Sequence, residues 1–378
     1  MIPPWPRRMW CKPSNSGWPG YKSPSCWTAP ILPRSSSRTS STFSPRQPIP
    51  SARPPPAPAS VYDKYTRAHS AVLCGADIVL ELPFPWCSSG VEDFALGGVY
   101  IAASLGADTL TFGSESGNAE MIKTCADIKS SEEFIKALRE LESRERQTGS
   151  AVLYSRAMAE FGIDSAIGAN DKLGTEYMIC GRRYGIGEYN VIRRDMSCKS
   201  AGEIRGMMFG GYDGAMDNIP DEARAVFENA RFCGEERYND ILFGYARLMR
   251  ETCSPELTYA KNTAENASSA EEFIKNLPQK KLTLARMRRE LLFSLMGVER
   301  MNKKSPPSFT VLLAANERGR EYFRGIKKKL SLSVVTKPAD VPESCGEEYR
   351  LNQDADKLYT LCAGERADLF MLKKPIIL

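Results

Sequence analysis

The chain has 378 residues and a formal net charge of +5, and its length suits two domains with ordinary hydrophobic cores. No apolar run approaches the roughly eighteen residues of a membrane-spanning helix, and residues 1–50 lack the apolar segment of a signal peptide, so we expect a cytoplasmic protein. Its 11 cysteines occur singly, without a C-x-x-C pair, which favours reduced thiols over disulfides or a zinc site.

Residues 1–60 differ in composition from the rest of the chain. They contain 15 of the 25 prolines, four of the five tryptophans and eight Lys or Arg, but no acidic residue. The other residues carry 43 basic and 46 acidic side chains, so the basic character belongs to this segment. Because no stretch of it has a helical or strand period, it is a disordered Pro/Ser-rich tail, or else a translation in the wrong reading frame or from a misassigned start. Reading the DNA in the other frames distinguishes the two.

From residue 61 onward the sequence is typical of an α/β domain. Residues 63–75 predict a helix that ends at a glycine, and residues 76–82 predict a short strand of the kind buried in parallel sheets. Residues 91–105 predict a second helix and residues 108–112 a second buried strand. This order predicts a βαβ unit and therefore a parallel sheet.

The later elements change from α/β to mainly helical. Capping boxes beginning at Ser130 and Ser200 predict two helices, and residues 189–193 predict a strand between them. Helices are then predicted at residues 221–230, at residues 238–251 and after Ser269, followed by a mixed strand, helix and strand over residues 310–336. We therefore predict a nucleotide-binding α/β domain over residues 61–215 and a mainly helical domain over residues 216–378.

Polar residues at strand ends are the first candidates for a functional site. The chain has no phosphate-binding glycine-rich loop and a single histidine, His69, which excludes a metal site built on two histidines. Ligands of open parallel sheets bind beyond the carboxyl ends of strands, where Gly113-Ser114-Glu115, Asn170-Asp171 and Arg193-Arg194 are predicted to lie. Each has an ordinary structural interpretation as well, namely a turn, a helix cap and surface arginines.

A second candidate is the basic segment at residues 280–289. Arg286 and Arg289 are three residues apart and share a helical face, and Lys280 and Lys281 stand at its entry. In a body of negative net charge, such a positive stripe suits nucleic-acid phosphates, although a solvated helix face has the same pattern.

Several phrases together give the chain a resemblance to the bacterial tRNA(Met) cytidine acetate ligase family, a nucleotidyltransferase-like group. No single phrase is diagnostic, but their order and spacing over residues 61–378 match that family. The phrases are DKYTRA at residues 63–68, GADIVLELPF at 75–84, FGSE at 112–115, ANDKLG at 169–174, SAGEIR at 200–205, the basic run at 280–289 and RGREY at 318–322.

The resemblance implies a Rossmann-like nucleotidyltransferase fold of the HUP type followed by a helical domain. It implies an enzyme that uses ATP to activate acetate as acetyl-adenylate and transfers the acetyl group to the wobble cytidine of elongator tRNA(Met). We expect ATP to arrive with Mg²⁺, although the sequence leaves metal dependence open. Gly113, Asn170 and Arg194 would contact ATP. Lys280, Lys281, Arg286 and Arg289 would contact the tRNA.

The chain departs from that family at its beginning. The family opens with a strand leading into a His-x-Gly-His signature, whose imidazoles stabilise the transferring phosphate. A chain with one histidine cannot carry this signature, so its catalytic residues are unknown and we expect impaired activity. Two other functions stay open: a tRNA-binding module without catalysis, and a nucleotidyltransferase acting on a small-molecule phosphate. A damaged gene product that does not fold stably is a further alternative.

Overall fold

The computed structural model describes most of the chain from residue 61 onward. The described residues are 29–30, 61–145, 148–163, 167–195, 197–199, 201–211, 214–228, 230–231, 233–278, 282–298 and 305–378. The predictions for the rest of residues 1–60, and for the cap at Ser200, fall outside them.

Fourteen helices and seven strands are formed by these residues. The helices are α1 (Lys64–Leu73), α2 (Val91–Ser104), α3 (Ala119–Lys129), α4 (Glu132–Arg144), α5 (Ser150–Glu160), α6 (Ala169–Arg183), α7 (Ala201–Phe209), α8 (Asp221–Glu228), α9 (Glu236–Leu248), α10 (Pro255–Glu265), α11 (Ala270–Asn276), α12 (Leu284–Leu295), α13 (Glu317–Ile326) and α14 (Gly346–Ala363). The strands are β1 (Ala29–Pro30), β2 (Ile78–Glu81), β3 (Thr109–Ser114), β4 (Glu188–Arg193), β5 (Phe309–Ala315), β6 (Ser333–Val335) and β7 (Ile376–Ile377).

Side-chain caps fix where several helices begin. Asp63 accepts hydrogen bonds from two backbone N–H groups at the start of α1, and Ser269 caps α11 as predicted. The predicted cap at Ser130 is wrong by one residue, because Ser131 accepts the N–H of Phe134 at 3.2 Å and Ser130 ends α3 instead. Two adjacent serines offer the same hydroxyl, and only the backbone geometry selects between them.

The strands form two sheets, which contain both parallel and antiparallel pairs. β3 and β4, both predicted as strands, pair in parallel over six residues each. β2 pairs with β5 antiparallel, with Ile78 opposite Ala315 and Glu81 opposite Val311, while β6 and β7 pair with β5 in parallel. The interpretation of β2 as a parallel strand is therefore wrong, because its partner comes from the far end of the chain. The two-residue β1 pairs with the other edge of β2.

Helix α2 connects the two sheets instead of linking neighbours in one sheet. Phe94 and Val99 pack into the core around β3, whereas Ile101 and Leu105 pack with β2 and β5. The predicted strand–helix–strand order is present, but among the described residues β2 and β3 are not in the same sheet. The side of β3 away from β4 has no paired strand in that part of the chain.

The helical half has a core of its own. Leu242, Ala260, Phe273 and Leu291 come from α9, α10, α11 and α12 and are fully buried together. The nine cysteines in the described part of the chain are free thiols. None of the described helices combines the length and apolar character that crossing a membrane requires.

A buried ionic cluster joins the first helix of the α/β half to the last helix of the chain. Lys64 Nζ lies 2.8 Å from Glu81 Oε1 and 2.7 Å from Asp356 Oδ2. Asn352 donates to Glu81 at 3.3 Å and accepts the Phe84 N–H at 2.8 Å. Although burial lowers the pKa of Lys64, the two carboxylates more than offset it and raise that pKa above its ordinary value.

Candidate functional site

Two parallel strands bring part of the predicted site together. In the β3–β4 pair, Gly113 lies opposite Ile192 and Ser114 opposite Arg193. Just beyond the last pair, the Arg194 N–H donates to the Ser114 carbonyl oxygen at 2.8 Å. Gly113 and Arg194 therefore lie at the carboxyl edge of the same sheet, which is where open α/β sheets bind ligands.

The N-terminus of α6 is tied to this edge by Glu115. The Glu115 carboxylate accepts the N–H groups of Asn170 at 3.0 Å and Asp171 at 3.2 Å. The N-cap residue of α6 is Gly168, which has no capping side chain, and a Cβ at that position would collide with the Glu115 carboxylate. The adjoining turn thus supplies the negative charge that stabilises a helix N-terminus.

The side chain of Asn170 is oriented by the same carboxylate. Its Nδ2 donates to Glu115 Oε1 at 2.9 Å. An amide that donates through nitrogen on one side presents its carbonyl oxygen on the other, so Asn170 Oδ1 is available as an acceptor. The group of a ligand that faces it is therefore a hydrogen-bond donor, such as a ribose hydroxyl or an exocyclic amine.

A buried aspartate fixes the turn that carries Glu115. Asp171 is 2% exposed and accepts a hydrogen bond from the Ser114 hydroxyl. The Ser116 N–H donates to Asp171 Oδ2 at 3.3 Å, and the Gly117 N–H donates to the Ser114 hydroxyl at 2.8 Å. This network holds the turn after β3 against the first turn of α6.

Gly113 has open space around it, and the strand paired with β3 is followed by a cation, Arg194. A Cβ added at Gly113 would meet no atom within 4 Å. The half-buried Arg194 side chain makes no ion pair or hydrogen bond with the described residues. A cation that follows β4 and an amide acceptor at the start of α6 suit a ligand that combines an anionic group with a donor, as a nucleotide does.

Two of the four predicted RNA contacts, Arg286 and Arg289, lie on helix α12 and not on the elements that carry the candidate nucleotide site. Arg286 is on α12, where its guanidinium lies 3.5 Å from Glu256 and 3.9 Å from Glu290, so part of its charge is neutralised. Lys280 and Lys281 fall outside the described residues. The role of this stripe in RNA binding stays a prediction.

Two other arginines of α12, Arg288 and Arg289, are less exposed than a solvated helix face would be. The Arg289 guanidinium lies next to Gly90, the residue that precedes α2, and burial lowers its pKa. Arg288 is 3% exposed and lies 3.7 Å from Glu235, and it donates to Asn239 at 2.8 Å. In this helix, Arg288 stabilises the helical half and Arg289 contacts the α/β half.

A cavity of about 440 Å³ opens between α4 and α5 on one side and α10 and α12 on the other. Its wall includes Arg286 together with the carboxylates of Glu142, Glu145 and Glu256. None of the three predicted ATP contacts lines it, so it is separate from the edge of the β3–β4 sheet.

Sequence reasoning missed the residues that organise the candidate site. Glu115 and Asp171 belong to phrases it singled out, but neither was assigned a role. The available signal was Gly168, because a helix that begins after glycine needs its N–H groups capped from elsewhere. In the described part of the chain, no group of three or more His, Cys, Asp or Glu side chains is placed to hold a metal ion.

Residues 57–369 match the family described as HIGH nucleotidyl transferase. The chain is 27% identical over 305 residues to the tRNA(Met) cytidine acetate ligase of Lactobacillus delbrueckii subsp. bulgaricus, covering 74% of this chain and 78% of that protein. It is 26% identical over 345 residues to the protein of the same name from Thermoanaerobacter sp., covering 80% of this chain and 84% of that protein.

A solved structure has the same fold. The crystal structure of Thermotoga maritima TmcAL bound with alpha-thio ATP superimposes with a TM-score of 0.74 at 23% identity. The superposition covers 84% of this chain and 88% of that one.

Proposed function

Because the chain belongs to the HIGH nucleotidyl transferase family, an enzyme family, we propose that it is an ATP-dependent acetate ligase for elongator tRNA(Met). The relatives named tRNA(Met) cytidine acetate ligase support this, since the chain covers more than three quarters of their length. The observation that carries the proposal is the sheet edge with Gly113 and Arg194, to which Glu115 ties the start of α6 and Asn170. As the tRNA is cytoplasmic, the proposal places the protein in the cytoplasm.

The proposed reaction has two steps. An acetate oxygen attacks the α-phosphorus of ATP, the bond from that phosphorus to the bridging oxygen breaks, and pyrophosphate leaves with the bond electrons. The exocyclic amine of the wobble cytidine then attacks the acetyl carbonyl of acetyl-adenylate. AMP leaves, the nitrogen loses a proton and N4-acetylcytidine results.

Arg194 is assigned to the phosphates of ATP. Its guanidinium always carries a positive charge and can give two parallel hydrogen bonds to phosphate oxygens. In a half-buried position it stabilises negative charge that develops on phosphate more strongly than it would in water. ATP is used as its Mg²⁺ complex in this proposal, with the ion held mainly by phosphate oxygens and water.

Asn170 and Gly113 are assigned to the nucleoside end of ATP. Asn170 Oδ1 accepts from a ribose hydroxyl or from the adenine amine, because Glu115 already takes the donor side of this amide. The open surface at Gly113 lets the ligand approach the backbone. The Glu115 carboxylate repels phosphate from the start of α6, so the triphosphate extends towards Arg194.

We propose that activity is weak in this chain as it stands. With His69 as its single histidine, it lacks the paired imidazoles that would stabilise the transferring phosphate. The same observation favours a second function, in which the chain binds tRNA without catalysing ligation.

Incubation of the chain with a tRNA(Met) transcript, ATP and radiolabelled acetate tests the proposal. In the comparison protein, residues 1–60 are replaced by a strand followed by His-x-Gly-His, taken from another reading frame of the same DNA if one encodes it. We expect ATP-dependent incorporation of labelled acetate into the tRNA. Incorporation should be strong with the restored chain and weak with the present chain. No labelling by either protein, with tRNA binding retained, would leave the binding function in its place.

A further inference from the structure

A group of exposed cations on α13 and the 3₁₀ turn after it has no part in the site described above. The turn is formed by Lys327–Lys329. The exposed cations, which we call the α13 basic surface, are Arg320, Arg324, Lys327, Lys328 and Lys329.

These cations are not neutralised by the protein. Within the described part of the chain, none of the five side chains takes part in an ion pair or a hydrogen bond. Their neighbour Arg318 behaves differently, with its Nη2 2.7 Å from the buried Asp77 carboxylate. The two glutamates of α13, Glu317 and Glu321, leave an excess of about three positive charges on the exposed face.

Helix stability does not account for the arrangement. Arg320 and Arg324 are four residues apart, a spacing at which like charges repel. Arg320 also lies near the N-terminal end of α13, where the helix dipole disfavours a cation, and only the residues at the C-terminal end gain from the dipole. Arg320 and Arg324, four residues apart, lie on one face of α13, and the three lysines of the 3₁₀ turn follow directly after the helix.

The α13 basic surface is held in place by a helix that packs firmly on the protein. Phe323 is buried against the sheet that contains β2 and β5, and the Tyr322 hydroxyl donates to the Leu105 carbonyl oxygen at 2.6 Å. Gly319 lies against the Asp77 backbone so closely that a Cβ would not fit. At about 1.5 Å per residue, Arg320 and Arg324 are about 6 Å apart along α13, and the lysines of the turn extend the basic surface beyond them, so that it can contact several phosphates of a double-helical nucleic acid.

We propose that the α13 basic surface binds the phosphate backbone of RNA, as a second contact region beside the stripe on α12. The identification of that RNA as the tRNA substrate rests on the proposed function. A lipid surface is the less suitable partner, because helices that lie on membranes expose large apolar side chains next to their cations. The exposed large hydrophobic side chains of the described residues include none between Glu317 and Leu332.

Binding of a fluorescent tRNA(Met) transcript, measured by anisotropy at several salt concentrations without ATP or acetate, tests the proposal. The variant Lys327→Gln/Lys328→Gln/Lys329→Gln is compared with a control that removes the same charge from separate exposed sites. The control variant is Lys123→Gln/Lys136→Gln/Lys374→Gln.

The α13 variant should bind at least about tenfold more weakly at low salt, and its slope of log K against log salt should be shallower by about 0.9 for each phosphate that the protein no longer neutralises. The RNA affinity of the control variant should stay within about threefold of that of the unaltered chain, because this variant loses only non-specific electrostatic attraction. Equal losses in the two variants would overturn the proposal. So would an unchanged RNA affinity with lost binding to phosphatidylserine vesicles, which would assign the surface to a membrane.

ATP binding by the unaltered chain is measured separately. If it is absent while the α13 variant still loses RNA affinity, the proposed ligase function fails and the RNA surface stands. If ATP binds and the two variants lose RNA affinity equally, the RNA surface fails alone. A double variant, Arg320→Gln/Arg324→Gln, should show the same selective loss, which guards against local unfolding of the lysine turn.

Discussion

The Glu115 carboxylate binds both the backbone N–H and the side-chain amide of Asn170, at 3.0 Å and 2.9 Å. This places a negative charge where a helix N-terminus would otherwise attract an anion. It also fixes the direction in which the Asn170 amide presents its oxygen. The start of α6 is therefore suited to a hydrogen-bond donor of the ligand and not to its phosphates.

Replacing Glu115 tests this relationship. In Glu115→Ala the Asn170 amide loses its fixed orientation, so the affinity for ATP should fall about tenfold, the equivalent of roughly 1.4 kcal/mol. Glu115→Gln keeps an acceptor and should lose less. Calorimetric titration with ATP measures both, with Glu120→Gln on α3 as a control of the same charge. An unchanged affinity in Glu115→Ala would show that the orientation of Asn170 does not matter.

The contact between α6 and β3 should depend on a glycine. A Cβ added at Gly174 would lie 2.5 Å from Cε2 of the buried Phe112 ring, so Gly174→Ala should destabilise the protein by about 1–3 kcal/mol. Gly244 is also inside a helix, but a Cβ there meets nothing within 4 Å, so Gly244→Ala should be neutral or stabilising by up to about 1 kcal/mol. Urea unfolding distinguishes the two, and equal effects would contradict the packing described here.

The cluster around Lys64 should be far more important to stability than an exposed pair of similar geometry. Lys64→Met leaves the carboxylates of Glu81 and Asp356 buried without a cation, which should cost about 3–5 kcal/mol. Lys357→Met breaks an exposed pair with Asp354, also 2.7 Å long, and should cost less than about 1 kcal/mol. The free energies of unfolding in urea measure both changes. A loss in Lys64→Met as small as that in Lys357→Met would show that the cluster is not a structural link.

The same cluster predicts a dependence on alkaline pH. The pKa of Lys64 is raised in the folded protein above its ordinary value of 10.5, so the stabilisation is complete below that pH and is lost as the pH rises beyond it. The free energy of unfolding should therefore fall more steeply above about pH 10.5 than it does in Lys64→Met, by up to about 1.4 kcal/mol per pH unit. Parallel curves for the two proteins would contradict this.

The sequence predicted the parts of the site that follow from local pattern. Gly113 at the end of β3 and Arg194 just after β4 lie at the same edge because the two strands are parallel. The fold class and the resemblance to the tRNA(Met) cytidine acetate ligases are confirmed by the family match and by the fold of Thermotoga maritima TmcAL.

What the sequence could not predict depends on partners far apart in the chain. A short apolar strand such as β2 has the same composition in a parallel and an antiparallel pair, and its partner β5 begins 228 residues after the end of β2. The cap that Glu115 places on α6 joins residues 55 apart, and no local motif describes it. The spacing of Arg286 and Arg289 indicated a shared face but not the acidic neighbours that partly neutralise Arg286.

The most direct test of the account is an equilibrium titration of the chain with ATP, together with Arg194→Met, Asn170→Ala and, as a control at the far end of α6, Arg183→Met. We predict saturable binding that weakens about 10–100-fold in the first two variants, as expected for the loss of a hydrogen bond to a charged or buried group, and stays within about twofold in the control. ATP affinities that are equal in all four proteins, or no ATP binding by the unaltered chain, would contradict the assignment of the sheet edge as the nucleotide site.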